Sequence, residues 1–300
     1  MNYDANYALD CENLNDQPVT PITSVQLVRH TPATPLVIEA PDLAAQQGRP
    51  ETLIVDVRRP ETCIDGHIPG AVSLVYQDLL RENGLAKGLL PTSARLSALF
   101  SGIGLTPGRH VVAYDDDSGA GAARLLWTLD VLGHRSSSLL NGGFSAWDEA
   151  DLPISETLAT PSVSDFRAIG ADDGVADYDY VLANLGNPDV VFVDARTPEE
   201  YSGEIVRAAR GGHIPGAVNF NWTEAIDPHD SHRLRSDDEL RAMLAVRGIT
   251  ADKEIVAYCQ THHRSSHTYI MLKHLGYTRV RGYAGSWSQW GNRADAPIER

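Results

Sequence analysis

The sequence predicts an α/β protein with two tandem domains, each of which is a parallel sheet flanked by helices. Three observations support this fold class: motifs that occur twice in the same order, short runs rich in valine and isoleucine, and helical patterns between those runs. Strands that alternate with helices pair in parallel, and the helices then cover both faces of the sheet. We therefore expect a duplicated domain.

The duplication is visible as four motif pairs. An apolar run that ends in Asp-x-Arg occupies residues 53–58 and 191–196, and His-Ile-Pro-Gly-Ala-Val occupies residues 67–72 and 213–218. The other two pairs begin at Gly104 and Gly248, and at Gly142 and Gly285. The copies are 138 residues apart in the first pair and 146 in the second, which places an insertion of eight residues in the second copy, at about 204–211.

The repeats and the local composition predict four regions of the chain. Residues 1–33 are polar and irregular, and we expect an N-terminal tail there. The first domain covers residues 34–153. A segment rich in proline, serine and threonine, residues 154–164, forms the linker, and the second domain covers residues 165–300.

Composition and charge exclude several classes of protein. The 300 residues are 42% hydrophobic and 22% charged, as in a soluble globular protein, and they contain no apolar stretch long enough for a membrane helix. The net charge of −15 disfavours binding to nucleic acid or to anionic lipid. Three scattered cysteines, Cys11, Cys63 and Cys259, argue against a disulfide framework. Together with the lack of a secretory signal, they indicate a cytoplasmic protein.

The two copies differ where the strand that ends in tyrosine runs into a loop and a helix. In the first copy Asp115 follows this strand, and in the second copy Cys259 does. Ligands of open parallel sheets bind at the carboxyl ends of strands. A carboxylate cannot replace a thiolate as a nucleophile of this kind, so we predict that the second copy is catalytic and that the first is a scaffold.

The loop after Cys259 is suited to an anionic substrate. Backbone N–H groups of the loop and the N-terminus of the next helix favour the thiolate, which is the nucleophilic form of cysteine. Arg264 adds a permanent charge, and unperturbed histidines at 262 and 263 are partly cationic near neutral pH. The predicted substrate-binding residues are Gln260, Thr261, His262, His263 and Arg264.

From the His-Ile-Pro-Gly-Ala repeats and the cysteine loop, the chain resembles the tandem-domain rhodanese (thiosulfate sulfurtransferase) family over about residues 34–300. The loop Cys-Gln-Thr-His-His-Arg is similar to that of a bacterial rhodanese group. It differs from the Cys-Arg-Lys-Gly-Val-Thr and Cys-Gly-Ser-Gly-Val-Thr loops associated with thiosulfate and 3-mercaptopyruvate. The resemblance implies two rhodanese-like domains, a persulfide on Cys259, an inactive N-terminal domain, and neither metal nor cofactor. Glu200 stands where the family has an additional substrate arginine, so we predict weak thiosulfate binding.

The predicted function is transfer of sulfane sulfur from a donor such as thiosulfate to cyanide or a thiol, including a thiol protein, through a Cys259 persulfide. One alternative is a cysteine-dependent phosphatase or arsenate reductase, because Cys-x4-Arg is one residue shorter than the phosphatase loop. The shorter loop leaves less room for a phosphoryl group and so favours sulfur. Another alternative is a sulfur carrier or redox-sensing module that does not turn over.

Four further side chains receive structural interpretations. Asp194 and Arg196 are predicted to pair at a strand end in a supporting role. Trp222, which follows the second His-Ile-Pro-Gly-Ala turn, either lines the pocket or packs beside it. Cys63 is expected in the core. The histidines near Cys259 lack the second ligand cluster of a structural zinc site, so no metal is predicted.

Overall fold

A computed structural model of the chain describes residues 34–157, 159–170 and 174–300. The predicted N-terminal tail, with Cys11, lies outside these residues. Each repeat supplies one five-stranded sheet, and every neighbouring pair of strands in the two sheets is parallel. The predicted fold class is therefore confirmed at the level of the two sheets.

The first repeat begins with a short edge strand and ends with a helix. Its elements are β1 (Val37–Ile38), α1 (Ala40–Ala44), β2 (Thr52–Asp56), α2 (Pro60–Ile64), β3 (Val72–Ser73), β4 (Arg81–Asn83), β5 (Ala86–Leu89), α3 (Ser93–Gly102), β6 (His110–Tyr114), α4 (Ala120–Val131), β7 (Ser137–Leu140) and α5 (Gly143–Glu149). The sheet order is β1-β7-β6-β2-β3. All residues of β2 and β6 are buried, as expected for central strands of a parallel sheet.

The second repeat follows the same plan. Its elements are β8 (Val175–Ala176), α6 (Tyr178–Ala183), β9 (Val190–Asp194), α7 (Pro198–Ser202), β10 (Val218–Asn219), α8 (Asp237–Ala245), β11 (Glu254–Tyr258), α9 (Arg264–His274), β12 (Val280–Tyr283) and α10 (Ser286–Trp290). The sheet order β10-β9-β11-β12-β8 corresponds strand for strand to that of the first repeat. The cysteine loop connects β11 to α9, equivalent to the junction between β6 and α4.

Helices α4 and α9 pack against each other across the boundary between the repeats. Every residue of α4 except Asp130 is buried, because this helix lies between its own sheet and the second repeat. Asp130 accepts a hydrogen bond of 2.6 Å from the hydroxyl of Tyr269 on α9. The loops that precede these two helices, including the loop of Cys259, therefore lie at the boundary between the repeats.

A two-stranded antiparallel hairpin, β4–β5, extends from the first repeat onto the second. The N–H of Lys87 donates to the Ser288 hydroxyl at 3.2 Å. A Cβ atom at Gly88 would collide with the carbonyl oxygen of Thr261, so only glycine allows this approach. The hairpin thus lies directly against the cysteine loop.

The described helices are short, and α4 is the longest at 12 residues. None of the helices in the described parts of the chain has the length and hydrophobicity of a membrane span.

Candidate active site

Two neighbouring strands end side by side at the site. Tyr258, the last residue of β11, is in register with Asp194, the last residue of β9. The Asp194 carboxylate accepts from Nε of Arg196 at 2.9 Å and from its Nη2 at 2.5 Å, and both side chains are buried. Asp56 and Arg58 form the same buried pair in the first repeat, where no thiol follows the strand. The geometry in both copies fits the supporting role predicted for Asp194 and Arg196.

Cys259 is the first residue after β11 and is only 1% exposed. Its N–H donates to the Ser286 hydroxyl at 3.3 Å, and its carbonyl accepts from the N–H of Trp287 at 2.9 Å. The start of α10 therefore holds the start of the loop. The loop then turns at His262, whose φ of 56° lies in the left-handed region, and α9 begins at Arg264. The predicted strand–loop–helix junction is confirmed.

Several groups act on the Cys259 sulfur atom. Burial favours the neutral thiol, whereas the charge of Arg264, the hydroxyl and N–H of Ser265 and the N–H of Thr261 favour the thiolate. Their combined effect exceeds that of burial and holds the pKa of Cys259 below its ordinary value of 9.0. Burial instead raises the pKa of Cys63, in the core as predicted, to about 11. Of the two cysteines that the structure describes, only Cys259 is therefore activated.

The equivalent loop of the first repeat encloses a carboxylate. Asp115 stands at the position of Cys259, and Ser118, with a φ of 53°, repeats the left-handed turn of His262. The carboxylate accepts from the N–H groups of Asp117 at 3.0 Å, Gly119 at 2.7 Å and Ala122 at 2.8 Å. Burial raises the pKa of Asp115 to about 6, so it is ionised at neutral pH. A loop of this shape therefore binds negative charge with backbone donors.

Arg264 is paired with a buried carboxylate. Its Nη1 lies 2.6 Å from Oε2 of Glu200, and Nε of Arg207 lies 2.9 Å from Oε1. Glu200 is 1% exposed, and despite burial the bond from Arg264 holds its pKa below the usual range. The weak thiosulfate binding predicted from the negative charge of Glu200 stays a prediction. The carboxylate is ionised and paired, and the two arginines and one glutamate together carry a net charge of one positive unit.

The predicted insertion, residues 204–211, lies between α7 and β10 and contacts the cysteine loop. The side-chain amide of Gln260 donates to the carbonyl of Arg207 at 3.1 Å. On its other side, the carbonyl of Arg210 accepts from the indole of Trp287 at 3.2 Å. Gln260 is therefore held by the insertion, and Arg207 brings a second cation to the site.

His262 is completely buried and packs against the first repeat. Its ring lies edge-on to the Trp127 indole, with the centroids 4.3 Å apart, and its Nδ1 is 2.7 Å from the Ser265 hydroxyl. Burial and the charge of Arg124 keep the pKa of His262 well below its usual value. The sequence predicted a partly cationic side chain, and this is wrong because the ring is desolvated beside an arginine.

His263 is half-buried and is also neutral. Burial and the charges of Arg124 and Arg264 lower its pKa to about 4, although the Asp117 carboxylate lies 3.8 Å from its Nε2. Its ring packs edge-on against Tyr76, with a centroid distance of 4.8 Å. Arg264 is therefore the positive charge within the six-residue loop, and the predicted histidine contribution to the positive potential is absent near neutral pH.

Trp222 begins a short 3-10 helix, Trp222–Ala225, and is half-buried. Its indole packs edge-on against the ring of His267, with a centroid distance of 5.5 Å. His267 is buried, and burial lowers its pKa to about 4. Of the two interpretations of Trp222, this contact fits the packing role.

Four contributors to the site were not identified from the sequence: Ser265, Ser286, Arg207 and Arg124. Ser265 had a detectable signal, because a hydroxyl residue in the first turn of the helix can reach back to a group before the helix. Ser286 and Arg207 come from distant parts of the chain, and no local pattern connects them with Cys259.

Comparison with known proteins identifies the repeats. A model described as the rhodanese-like domain matches residues 39–150 and 177–293. The chain is 46% identical to a thiosulfate sulfurtransferase of Azotobacter vinelandii over 265 residues, which cover 88% of this chain and 97% of the relative. It is 34% identical to the sulfur carrier protein TtuD of Thermus thermophilus, with 78% and 86% covered.

The fold agrees with a solved structure as well. The crystal structure of SseA from Escherichia coli, a 3-mercaptopyruvate sulfotransferase, superimposes with a TM-score of 0.76 at 28% identity. The match covers 85% of this chain and 99% of SseA. The sequence similarity and the duplicated fold lead to the same assignment: the chain belongs to the rhodanese family and is a sulfurtransferase with two tandem rhodanese-like domains.

Proposed function

We propose that Cys259 carries a sulfur atom as a persulfide from a sulfane-sulfur donor to a thiophilic acceptor. The observation behind this proposal is the pair of equivalent loops. One loop holds the ionised Asp115 with three N–H donors, and the other places amides and Arg264 around a thiol. A loop that stabilises an anion favours both the attacking thiolate and the terminal sulfur of a persulfide.

The reaction balances in two half-reactions. With thiosulfate as donor, the Cys259 thiolate attacks the outer sulfur atom, a new S–S bond forms, and the S–S bond of thiosulfate breaks. Sulfite leaves with the electron pair, and a negatively charged persulfide remains on Cys259. The carbon of cyanide then attacks the outer sulfur, thiocyanate leaves, and the thiolate is restored. A thiol acceptor takes the same sulfur atom as its own persulfide. Neither step with thiosulfate and cyanide needs a proton or a cofactor.

The site residues divide into two groups in this proposal. The amides of Thr261 and Ser265 and the charge of Arg264 act on the sulfur and on the anionic donor. The side chains of Gln260 and His262 instead keep the loop in shape, because they bond to Arg207 and to Ser265. Substrate recognition thus rests on backbone dipoles and arginine charge rather than on histidine.

Intact-mass spectrometry tests the intermediate. After incubation with thiosulfate and removal of the excess, we expect a gain of one sulfur atom, and peptide mapping should locate it on Cys259. Addition of cyanide should remove the gain and release an equal amount of thiocyanate. A sulfur atom located on Cys63 or Cys11, or no gain at all, would contradict the proposal.

A second candidate function, sulfur carriage without turnover, is favoured by the similarity to TtuD, which is named a sulfur carrier protein. The amount of thiocyanate released on addition of cyanide distinguishes the two functions. A sulfurtransferase releases many equivalents of thiocyanate when thiosulfate is in excess, whereas a carrier that requires a protein acceptor releases one equivalent and stops. Neither the thiosulfate sulfurtransferase nor the sulfur carrier protein described above supports the phosphatase and arsenate-reductase alternative.

We expect the affinity for thiosulfate to be insensitive to pH in the neutral range. His263, with a pKa of about 4, and the more strongly shifted His262 are both neutral there, so no loop histidine loses a proton as the pH rises. Calorimetric titration of the Cys259→Ser variant, between about pH 6 and pH 8.5, removes the titration of the thiol from the measurement. A tenfold loss of affinity over this range would mean that the histidines are cationic. The matched control, Cys259→Ser with His263→Gln, should give the same flat profile.

A further inference from the structure

The first repeat places a completely buried arginine against the cysteine loop. Arg124 lies on α4 and is 0% exposed. Its Nη1 donates to the carbonyl of His262 at 3.2 Å, and its Nη2 donates to the carbonyl of Gly88 at 2.8 Å and to that of Leu79 at 3.2 Å. One side chain therefore joins α4, the β4–β5 hairpin and the loop of Cys259.

Arg124 binds carbonyl groups, and no carboxylate among the described residues pairs with it. A buried charge without a counter-ion is costly, and burial lowers the pKa of Arg124 to about 10, so it stays charged at neutral pH. Two acidic groups act favourably on its charge, the Tyr76 phenol and the Cys259 thiol. Burial raises the pKa of Tyr76 and keeps the phenol neutral. The Cys259 thiolate therefore acts favourably on the charge of Arg124.

We propose that Arg124 is a positioning residue for sulfur transfer: by holding the His262 carbonyl it keeps the loop amides directed at the Cys259 sulfur, and its charge stabilises the thiolate and the persulfide. This inference rests on the proposed function of Cys259. It assigns to the first repeat, whose loop carries Asp115 at the position of Cys259, a direct part in activating the thiol of the second repeat.

The backbone conformation of His262 explains why its carbonyl group needs a partner such as Arg124 to hold it in place. A φ of 56° is unfavourable for a residue other than glycine, and surrounding contacts must maintain it. The His262 carbonyl is held by Arg124 and by the Ser266 hydroxyl at 2.5 Å. Its ring lies against Trp127, three residues after Arg124 and so on the same face of α4, and against Gly282, where a Cβ would collide with it.

The two copies differ at this position. The equivalent of Arg124 in the second repeat is Thr268 on α9, which is buried and whose hydroxyl has no hydrogen-bond partner in the described parts of the chain. The fold of a repeat therefore does not require an arginine here. The arginine stands only on the helix that packs against the loop of Cys259, which points to a role in the chemistry of that cysteine.

The pH dependence of Cys259 alkylation by iodoacetamide tests this role, with peptide mapping to confirm the modified residue. In Arg124→Met, which removes the charge and the hydrogen bonds, we expect the alkylation midpoint to rise by about one pH unit and sulfur uptake at neutral pH to fall about tenfold. In Arg124→Lys, which keeps the charge, the midpoint should return towards the wild-type value. If Arg124→Met does not fold, Arg124→Gln replaces it, because its amide can still bond one carbonyl.

Arg109→Met is the matched control. Arg109 also belongs to the first repeat and donates to backbone carbonyls, those of Gly104 and Thr52, which both belong to the first repeat. This variant should lose stability and keep the wild-type midpoint. An unchanged midpoint in folded Arg124→Met would overturn the inference and leave Arg124 a structural clamp. Alkylation does not require turnover, so a shifted midpoint in a protein that forms no persulfide would refute the proposed function alone.

Discussion

The Cys259→Ser variant is expected to lose sulfur transfer completely, with thiocyanate formation reduced by on the order of 10³-fold or more, as is typical when a nucleophile is removed. A serine hydroxyl is not ionised near neutral pH and cannot hold a transferable sulfur atom. The side chain is 1% exposed and the replacement is close in size, so the fold should persist. Steady-state cyanolysis of thiosulfate measures the loss.

The control for this variant is Cys63→Ala. Cys63 is as deeply buried as Cys259, but burial raises its pKa to about 11, so it provides no reactive thiolate at neutral pH. We expect Cys63→Ala to unfold at a lower temperature and to retain its rate of sulfur transfer per folded molecule. Substantial turnover by Cys259→Ser, or a loss of turnover in folded Cys63→Ala, would reassign the nucleophile.

The Arg264→Met variant should show the second large effect. Arg264 is the strongest of the groups that favour the Cys259 thiolate, and loss of an adjacent opposite charge shifts a pKa by about one to three units. Each unit leaves tenfold less thiolate at a fixed pH below the new pKa, so sulfur uptake at neutral pH should fall by about 10- to 1000-fold. Rapid-mixing measurements of persulfide formation at several pH values would resolve the shift. Uptake should recover in part as the pH is raised.

Glu200, the ion-pair partner of Arg264, allows a control that distinguishes an effect on thermal stability from an effect on the rate of sulfur uptake. Arg264→Met leaves Glu200 buried with Arg207 as its remaining ion-pair partner, and this loss of pairing is destabilising. The double variant Arg264→Met, Glu200→Gln removes the buried charge and should regain thermal stability without regaining the rate. Recovery of the rate in the double variant would show that Arg264 acts by maintaining the fold.

The sequence was sufficient to predict the duplicated fold and the position of the thiol. Repeated motifs and alternating strand and helix patterns are local properties, and two equivalent sheets follow from them. The pairing of Asp194 with Arg196 was predictable for the same reason, because the two residues stand two positions apart at one strand end. The comparison of Asp115 with Cys259 also needed only the alignment of the two copies.

The charge state of the site could not be predicted in this way. His262 and His263 were expected to be partly cationic, since an exposed histidine titrates near neutral pH. Their protonation depends on burial at the boundary between the repeats and on Arg124, a residue of the other repeat. Glu200 was expected to oppose an anionic donor, but Arg207 and Arg264 neutralise it. Such interactions join residues that are far apart in the chain, and the local patterns of the sequence carry no information about them.

The position of Gly88 has a consequence for how the two halves of this chain change over evolutionary time. After a duplication, the copy that loses its reactive group is normally free to accumulate substitutions. Here the hairpin of the first repeat lies against the Thr261 carbonyl, and any larger residue at 88 would displace the cysteine loop of the second repeat. The shape of the second half therefore constrains the first half, and a duplicated copy placed in this way cannot diverge freely at residue 88.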